Sequence, residues 1–174
     1  MFDWRNYGNG IIAFDAGYVR PLLAAIHIVI EAGRVAIIDT GSNDAVPNVL
    51  AALDRVGLGP LAVDYVILTH IHLDHAGGAG ALMRAFPNAR LVVHPRGARH
   101  MAEPSKLMAG VAAVYGSEYV TRVYGDIVPI PAERIQEVAD GDRISLGGRD
   151  LLCLHTPGHA RHHICIVDTQ SEGI

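Results

Sequence analysis

Residues 69–78 read Thr-His-Ile-His-Leu-Asp-His-Ala-Gly-Gly, and this stretch predicts a metal site at the end of a strand. Imidazole and carboxylate groups suit a borderline divalent cation such as zinc. The short, mostly apolar stretch 64–68 comes just before and predicts a strand, and ligands in open α/β sheets bind where strands end. A surface loop that happens to be rich in histidine is the less favoured interpretation. The candidate ligands are His70, His72, Asp74 and His75.

The spacing within this stretch predicts two neighbouring metal positions. His70 and His72 are two residues apart, so in an extended chain their side chains face the same side. Asp74 and His75 follow the turn and can point at a second position. Two metals about 3.5–4 Å apart would clamp a water between them and lower its pKa.

A second histidine-rich stretch, residues 155–163, follows an apolar run at 151–154. Thr156-Pro157-Gly158 predicts a tight turn that presents His159 just beyond the end of a strand. Neutral imidazoles of His70, His72 and His159 would complete one site and leave a position open for water or substrate. For the neighbouring His162 and His163, packing or hydrogen bonding is the favoured interpretation.

Together with Ile38-Asp39-Thr40-Gly41, these two stretches resemble the metallo-β-lactamase superfamily of metal-dependent hydrolases in residues, order and spacing. The resemblance extends over essentially the whole chain. It implies an α/β fold, a metallo-β-lactamase-like αββα sandwich, and residues 1–174 would be one domain that forms its N-terminal and central portion. For Asp39, it implies a carboxylate that orients a metal-bound histidine, against the alternative of a cap for the turn that follows.

The resemblance also implies roles for the candidate ligands. His70, His72 and His159 would bind the first metal, and Asp74 and His75 would belong to the second. The family supplies two further ligands after the equivalent of His159, a bridging aspartate on a following strand and a late histidine.

This chain departs from the family in that last part. The only acidic residues after His159 are Asp168 and Glu172, and both fall in a predicted turn. We therefore expect the last two ligands to be missing and the domain to be truncated at its C-terminus.

The site predicts hydrolysis without a side-chain nucleophile, because a metal-bound hydroxide can attack a carbonyl whose oxyanion a metal stabilises. Asp74 is the predicted catalytic residue, since it can orient the hydroxide as well as ligate. His75 and the Gly77-Gly78 pair are most similar to glyoxalase II-like and lactonase-like members of the family. We expect a thioester or lactone hydrolase with two divalent metal ions. Zinc is favoured, and the ligand set also accepts iron or manganese.

Two alternatives belong to other functional classes. One is a sulfur dioxygenase, which would use a single iron held by His70, His159 and the missing aspartate. The other is an inactive fragment that keeps the fold and acts as a binding module.

Composition narrows the partners. The formal net charge is −4 and no long run of lysine or arginine occurs, which argues against nucleic-acid binding. No apolar stretch is long enough to span a membrane and no signal peptide is evident, so we expect a cytoplasmic enzyme with a small-molecule substrate. Half of the residues are apolar. Strands buried on both faces explain this excess, and an uncovered apolar face would favour a homo-oligomer.

Hydrophobic periodicity and turn residues predict the remaining elements. The helical segment 104–131 is either a lid over a pocket or plain packing against the sheet. Cys153 and Cys165 are expected as buried reduced thiols, and a disulfide between them is the alternative. Strands are predicted at 10–14, 24–31, 34–38, 90–94, 149–154 and 163–167, helices at 44–56, 75–86, 104–115 and 117–124, and a hairpin from 135–138 and 144–146.

Overall fold

The computed structural model describes residues 4–171, which fold into strands and helices that alternate along much of the chain. The strands are β1 (Trp4–Gly8), β2 (Ile11–Asp15), β3 (Ala25–Glu31), β4 (Arg34–Ile38), β5 (Val63–Ile67), β6 (Arg90–Val93), β7 (Ile135–Glu137), β8 (Arg143–Leu146), β9 (Arg149–His155) and β10 (Ile164–Asp168). The α-helices are α1 (Val46–Arg55), α2 (Leu73–Ala76), α3 (Ala79–Ala85), α4 (Pro95–Ala102), α5 (Ser105–Tyr115) and α6 (Ser117–Tyr124).

Two sheets are formed. The larger has seven strands in the order β1-β2-β3-β4-β5-β6-β7. It is antiparallel from β1 to β4 and parallel from β4 to β7. The smaller sheet is antiparallel, in the order β10-β9-β8.

The inner strands of the larger sheet, such as β4 and β6, are buried on both faces, as their nearly continuous apolar sequences predict. Ile37 and Val66 belong to the core shared with the helices, together with Leu53 of α1. Their neighbours Ala36 and Ile67 point the other way and pack with Leu151 and other residues of the smaller sheet. This alternation produces layers of helices, sheet and sheet, and it confirms the α/β sandwich.

The helix predicted at 75–86 is two helices. It breaks at Gly77 and Gly78, which lie against the backbone of the loop after β4: a Cβ on Gly77 would be 3.2 Å from Cα of Ser42. Gly77 and Gly78 let α2 and α3 approach residues 40–42, and Gly80 lies against the backbone of Val128.

The hairpin predicted from 135–138 and 144–146 is wrong. β7 pairs with β6 in the larger sheet, whereas β8 pairs with β9 in the smaller one. The loop between them crosses from one sheet to the other. Asp142 stabilises this crossing by accepting a hydrogen bond from the backbone N–H of Ala139 at 2.6 Å.

A buried guanidinium joins the two sheets at the start of β9. Arg149 is 1% exposed, pairs through two nitrogens with the carboxylate of Asp168, and lies 3.5 Å from Glu31 of the larger sheet. It also donates to the backbone oxygen of Asn9 at 2.5 Å. Asp168 was predicted to lie in a turn, but it is the last residue of β10. Its carboxylate forms an ion pair with Arg149. Glu172 lies outside the described residues.

The two cysteines are both reduced, but only Cys153 is buried and Cys165 is exposed on β10. The prediction of two buried thiols is thus wrong for Cys165, because the alternation along a strand turns its side chain away from the core. No helix within residues 4–171 is long and apolar enough to cross a membrane.

Candidate metal centre

Three histidines from two sheets meet at one edge of the sandwich. His70 and His72 follow β5 of the larger sheet, and His159 follows β9 of the smaller sheet. One ring nitrogen from each of the three lies within 4.8 Å of the others. Among the residues that the structure describes, this is the one group of three or more side chains that could hold a metal ion.

His70 is the most enclosed member of the triad, at 3% exposed. Its Nδ1 lies 3.0 Å from the hydroxyl of Thr69, which leaves Nε2 as the nitrogen that faces the other histidines. That Nε2 is buried and has no hydrogen-bond partner among the described residues. Because a buried polar atom without a partner is costly, this nitrogen fits a metal ligand.

The other two histidines complete a convergent donor set. Nδ1 of His72 and Nε2 of His159 are 3.1 Å apart. Burial and the neighbouring imidazoles lower the pKa of His70 to about 3. Burial and His159 also lower the pKa of His72. The rings of His70 and His72 are therefore neutral at pH 7 and present lone pairs, as metal ligation requires.

A second donor pair lies beside the triad. The rings of His70 and His75 are 4.3 Å apart, and Nε2 of His75 is 3.5 Å from Oδ2 of Asp74. Nδ1 of His75 is 2.8 Å from Oδ2 of Asp39. Burial opposes protonation of His75, but the hydrogen bond to Asp39 and the charges of Asp39 and Asp74 raise its pKa. The described residues bring these two donors together and do not complete a second set of three.

The backbone around α2 is fixed from the loop after β4. The N–H and the hydroxyl of Thr40 both donate to the backbone oxygen of His75, at 2.7 and 2.8 Å. Asp39 therefore holds the side chain of His75 while Thr40 holds its main chain, which supports the orienting role expected for Asp39.

The remaining histidines near the site make other contacts. Nδ1 of His162 accepts from the N–H of Ile71 at 3.4 Å, and Nδ1 of His163 lies 2.8 Å from the hydroxyl of Thr156. The interpretation of these two as hydrogen-bonded residues is confirmed. His94 accepts from the N–H of Arg96 and thereby caps the start of α4.

A pocket of about 620 Å³ opens beside the triad. Two of its lining residues, Tyr18 and Tyr124, form a pair whose hydroxyls lie 2.6 Å from each other. The sequence did not indicate this pair, because the two tyrosines are far apart in the chain. Helix α5 of the 104–131 segment supplies much of the wall. The lining residues are Tyr18, His72, Leu73, Asp74, His100, Lys106, Leu107, Gly110, Val111, Val114, Tyr115, Tyr124 and His159.

A comparison with models of protein families matches residues 20–172 to the metallo-beta-lactamase superfamily. The chain belongs to that superfamily. Among its relatives, the hydroxyacylglutathione hydrolase of Aeromonas hydrophila is 34% identical over 128 residues, covering 74% of this chain and 36% of the relative. A metallo-beta-lactamase fold-containing protein of Sulfurisphaera tokodaii is 27% identical over 164 residues, covering 91% of this chain and 59% of the relative.

Solved members of the superfamily share the fold. A metallo-beta-lactamase of Cronobacter sakazakii with a HARLDQ motif superposes with a TM-score of 0.72 at 22% identity, covering 98% of this chain and 59% of that one. The chain spans less than two thirds of the length of each of these relatives.

Proposed function

We propose that this superfamily member is a metal-dependent hydrolase of thioesters or lactones. The observation that supports it most directly is the buried, unpartnered Nε2 of His70, which converges with His72 and His159. We assign these three histidines to a first metal, with zinc favoured for an all-imidazole set, and Asp74 and His75 to a second.

A divalent metal, when bound, lowers the pKa of a water and polarises a carbonyl. The chain's own residues provide the rest. The carboxylate of Asp74 lines the pocket and can accept a hydrogen bond from the attacking water. Asp39 keeps a proton on Nδ1 of His75, so that Nε2, 3.5 Å from Oδ2 of Asp74, would be the nitrogen that binds a second metal. The apolar side chains of α5 exclude water from one side of the pocket.

Similarity to hydroxyacylglutathione hydrolases supports the thioester assignment. The pocket supports it as well, because 620 Å³ with mostly apolar walls accommodates an acyl chain of moderate size. Segment 104–131 would act as the wall, or lid, of this pocket. Its helix α5 contributes several lining residues, and no residue of α5 is buried in the core.

Zinc content and hydrolysis, measured together, test the proposal. We expect zinc to bind the wild-type chain and S-butyryl N-acetylcysteamine to be hydrolysed, with both reduced at least about tenfold in His159→Gln. His27→Gln is the matched control, because His27 lies on β3 outside the triad. Zinc binding without hydrolysis of thioesters or lactones would overturn the enzymatic assignment and favour a binding module. Bound iron with oxygen uptake on a persulfide would favour the dioxygenase.

A further inference from the structure

The chain contains a single lysine, Lys106. All the other residues among its lysines and arginines are arginines. Lys106 lies in the first turn of α5 and lines the same pocket as His72, Asp74 and His159. Among the residues that the structure describes, its ammonium group forms no ion pair or hydrogen bond. The nearby carboxylate of Glu103 accepts the backbone N–H of Ser105 at 3.0 Å.

His100 of α4 lines the pocket together with Lys106. Its Nε2 accepts a hydrogen bond from Nε of Arg99 at 3.3 Å. Burial and the charges of Arg99 and Lys106 lower the pKa of His100, so the ring is neutral at pH 7. A neutral ring whose Nε2 is an acceptor carries its proton on Nδ1, and that N–H remains a donor.

Apolar residues complete this part of the pocket. Leu107, Val111 and Val114 follow Lys106 along α5, and Leu73 begins α2 between the candidate ligands His72 and Asp74. A ligand that contacts these side chains and Lys106 therefore needs an apolar body and an anionic group. An ammonium at the rim of an apolar wall recognises a carboxylate or a phosphate.

We propose that Lys106 and His100 form an anion-binding subsite, which selects substrates that carry a negatively charged group on an apolar chain. The inference rests on the proposed hydrolase function for its substrate, but not for the binding of the anion. Lys106 acts as a specificity-determining residue and takes no part in the bond-breaking step.

Binding tests the subsite without requiring turnover. Octanoate and octanamide share an apolar chain and differ in charge. We expect calorimetry on the zinc-loaded chain to show octanoate binding about five- to tenfold more weakly to Lys106→Gln than to wild type. Lys106→Arg should restore most of the affinity. Arg84→Gln removes the same charge from an exposed position on α3, and it should leave the affinity for octanoate unchanged. Equal octanoate affinity in wild type and Lys106→Gln would overturn the proposal.

The single lysine allows a second readout. Acetylation by a sulfo-N-hydroxysuccinimide ester modifies two amines, at Lys106 and the N-terminus, and mass spectrometry quantifies each. We expect octanoate, but not octanamide, to slow acetylation of Lys106 at least about threefold relative to the N-terminal amine. Equal rates with and without octanoate would count against the subsite.

Kinetics locate the charge on the substrate. The three thioesters are S-butyryl N-acetylcysteamine, which is neutral, S-succinyl N-acetylcysteamine, charged on the acyl group, and S-butyryl 3-mercaptopropionate, charged on the thiol. Lys106→Gln should raise KM about five- to tenfold for one charged thioester and leave the neutral one unchanged. An equal effect on all three would overturn the proposal. If wild type hydrolyses none, the hydrolase function fails, while calorimetry and acetylation still decide the subsite.

Discussion

The carboxylate of Asp39 holds both His75 and Thr69. Oδ2 lies 2.8 Å from Nδ1 of His75, and Oδ1 accepts from the N–H of Thr69 at 2.8 Å. The residue adopts a φ of 60°, a left-handed conformation that aspartate and asparagine tolerate better than most residues. Asp39 thus contacts His75 directly and His70 through Thr69, whose hydroxyl lies 2.8 Å from Oδ2 of Asp39 and 3.0 Å from Nδ1 of His70.

Asp39→Asn should weaken metal binding with little effect on the fold. Asparagine tolerates the same backbone conformation but cannot accept at both oxygens, so His75 loses its fixed orientation. We expect about a 10- to 100-fold loss in zinc affinity, measured by competition with a chromophoric chelator. Asp44→Asn, at an exposed position near the start of α1, should behave as wild type. Wild-type affinity in Asp39→Asn would show that Asp39 only caps the turn.

Gly80→Ala should destabilise the protein although alanine favours helices. A Cβ at this position in α3 would lie 2.0 Å from the backbone oxygen of Val128. We expect a loss of about 1–3 kcal/mol in the free energy of unfolding, measured with urea. Gly110→Ala in α5 is the matched control, because a Cβ there meets nothing within 4 Å. Gly110→Ala should raise the free energy of unfolding by about 0.5–1 kcal/mol. If both substitutions change the free energy of unfolding in the same direction, the close packing of Gly80 against Val128 is contradicted.

Asp168→Asn should destabilise the protein more at neutral than at acid pH. The guanidinium of Arg149 holds the pKa of Asp168 well below its usual value. The carboxylate therefore stabilises the fold above about pH 4, and this contribution is lost as the pH falls further. Removing one partner of such a buried pair costs about 3–5 kcal/mol. Urea unfolding at pH 7 and at pH 3 measures the difference in the free energy of unfolding between wild type and Asp168→Asn. This difference should be smaller at pH 3. If it is the same at both pH values, the ion pair with Arg149 is not its cause.

Arg134→Lys should also lower stability, because a lysine cannot reproduce the fork of the guanidinium. Arg134 donates to the backbone oxygens of Met83, Phe86 and Ala89 at 2.6, 2.6 and 2.7 Å, at the end of α3. We expect a loss of about 1–3 kcal/mol in thermal or urea unfolding. Arg143→Lys, whose exposed pair with Asp150 is 3.9 Å long, should change stability by less than about 0.5 kcal/mol.

The local patterns were good guides where side chains repeat with a short period. The apolar strands β3, β4 and β9 were predicted because neighbouring residues alone determine them. The same holds for the placement of His70, His72 and His159 at strand ends. The meeting of these three histidines at one site depends on how the two sheets stack, which periodicity does not show. It was implied only by the order and spacing of the two histidine-rich stretches.

Contacts between distant residues could not be predicted. Nothing local distinguishes β7 from a hairpin partner of β8, because its pairing with β6 depends on the parallel sheet already in place. The break at Gly77-Gly78 depends on the loop at 40–42, and the Tyr18–Tyr124 pair joins residues that are 106 positions apart in the chain. β1 was missed because its sequence, Trp-Arg-Asn-Tyr-Gly, lacks the alternation of a half-buried strand.

Strand β9 has a different inter-sheet connection at each end. Arg149 ties its first residue to Asp168 and Glu31, and four residues after its last, His155, the chain places His159 beside the histidines of the larger sheet. The ends are roughly 20 Å apart. Amide hydrogen exchange in β9 and β10 should consequently be uneven in metal-free protein. Zinc would slow exchange near His155 and leave the Arg149 end unchanged, so occupancy could be followed one backbone amide at a time.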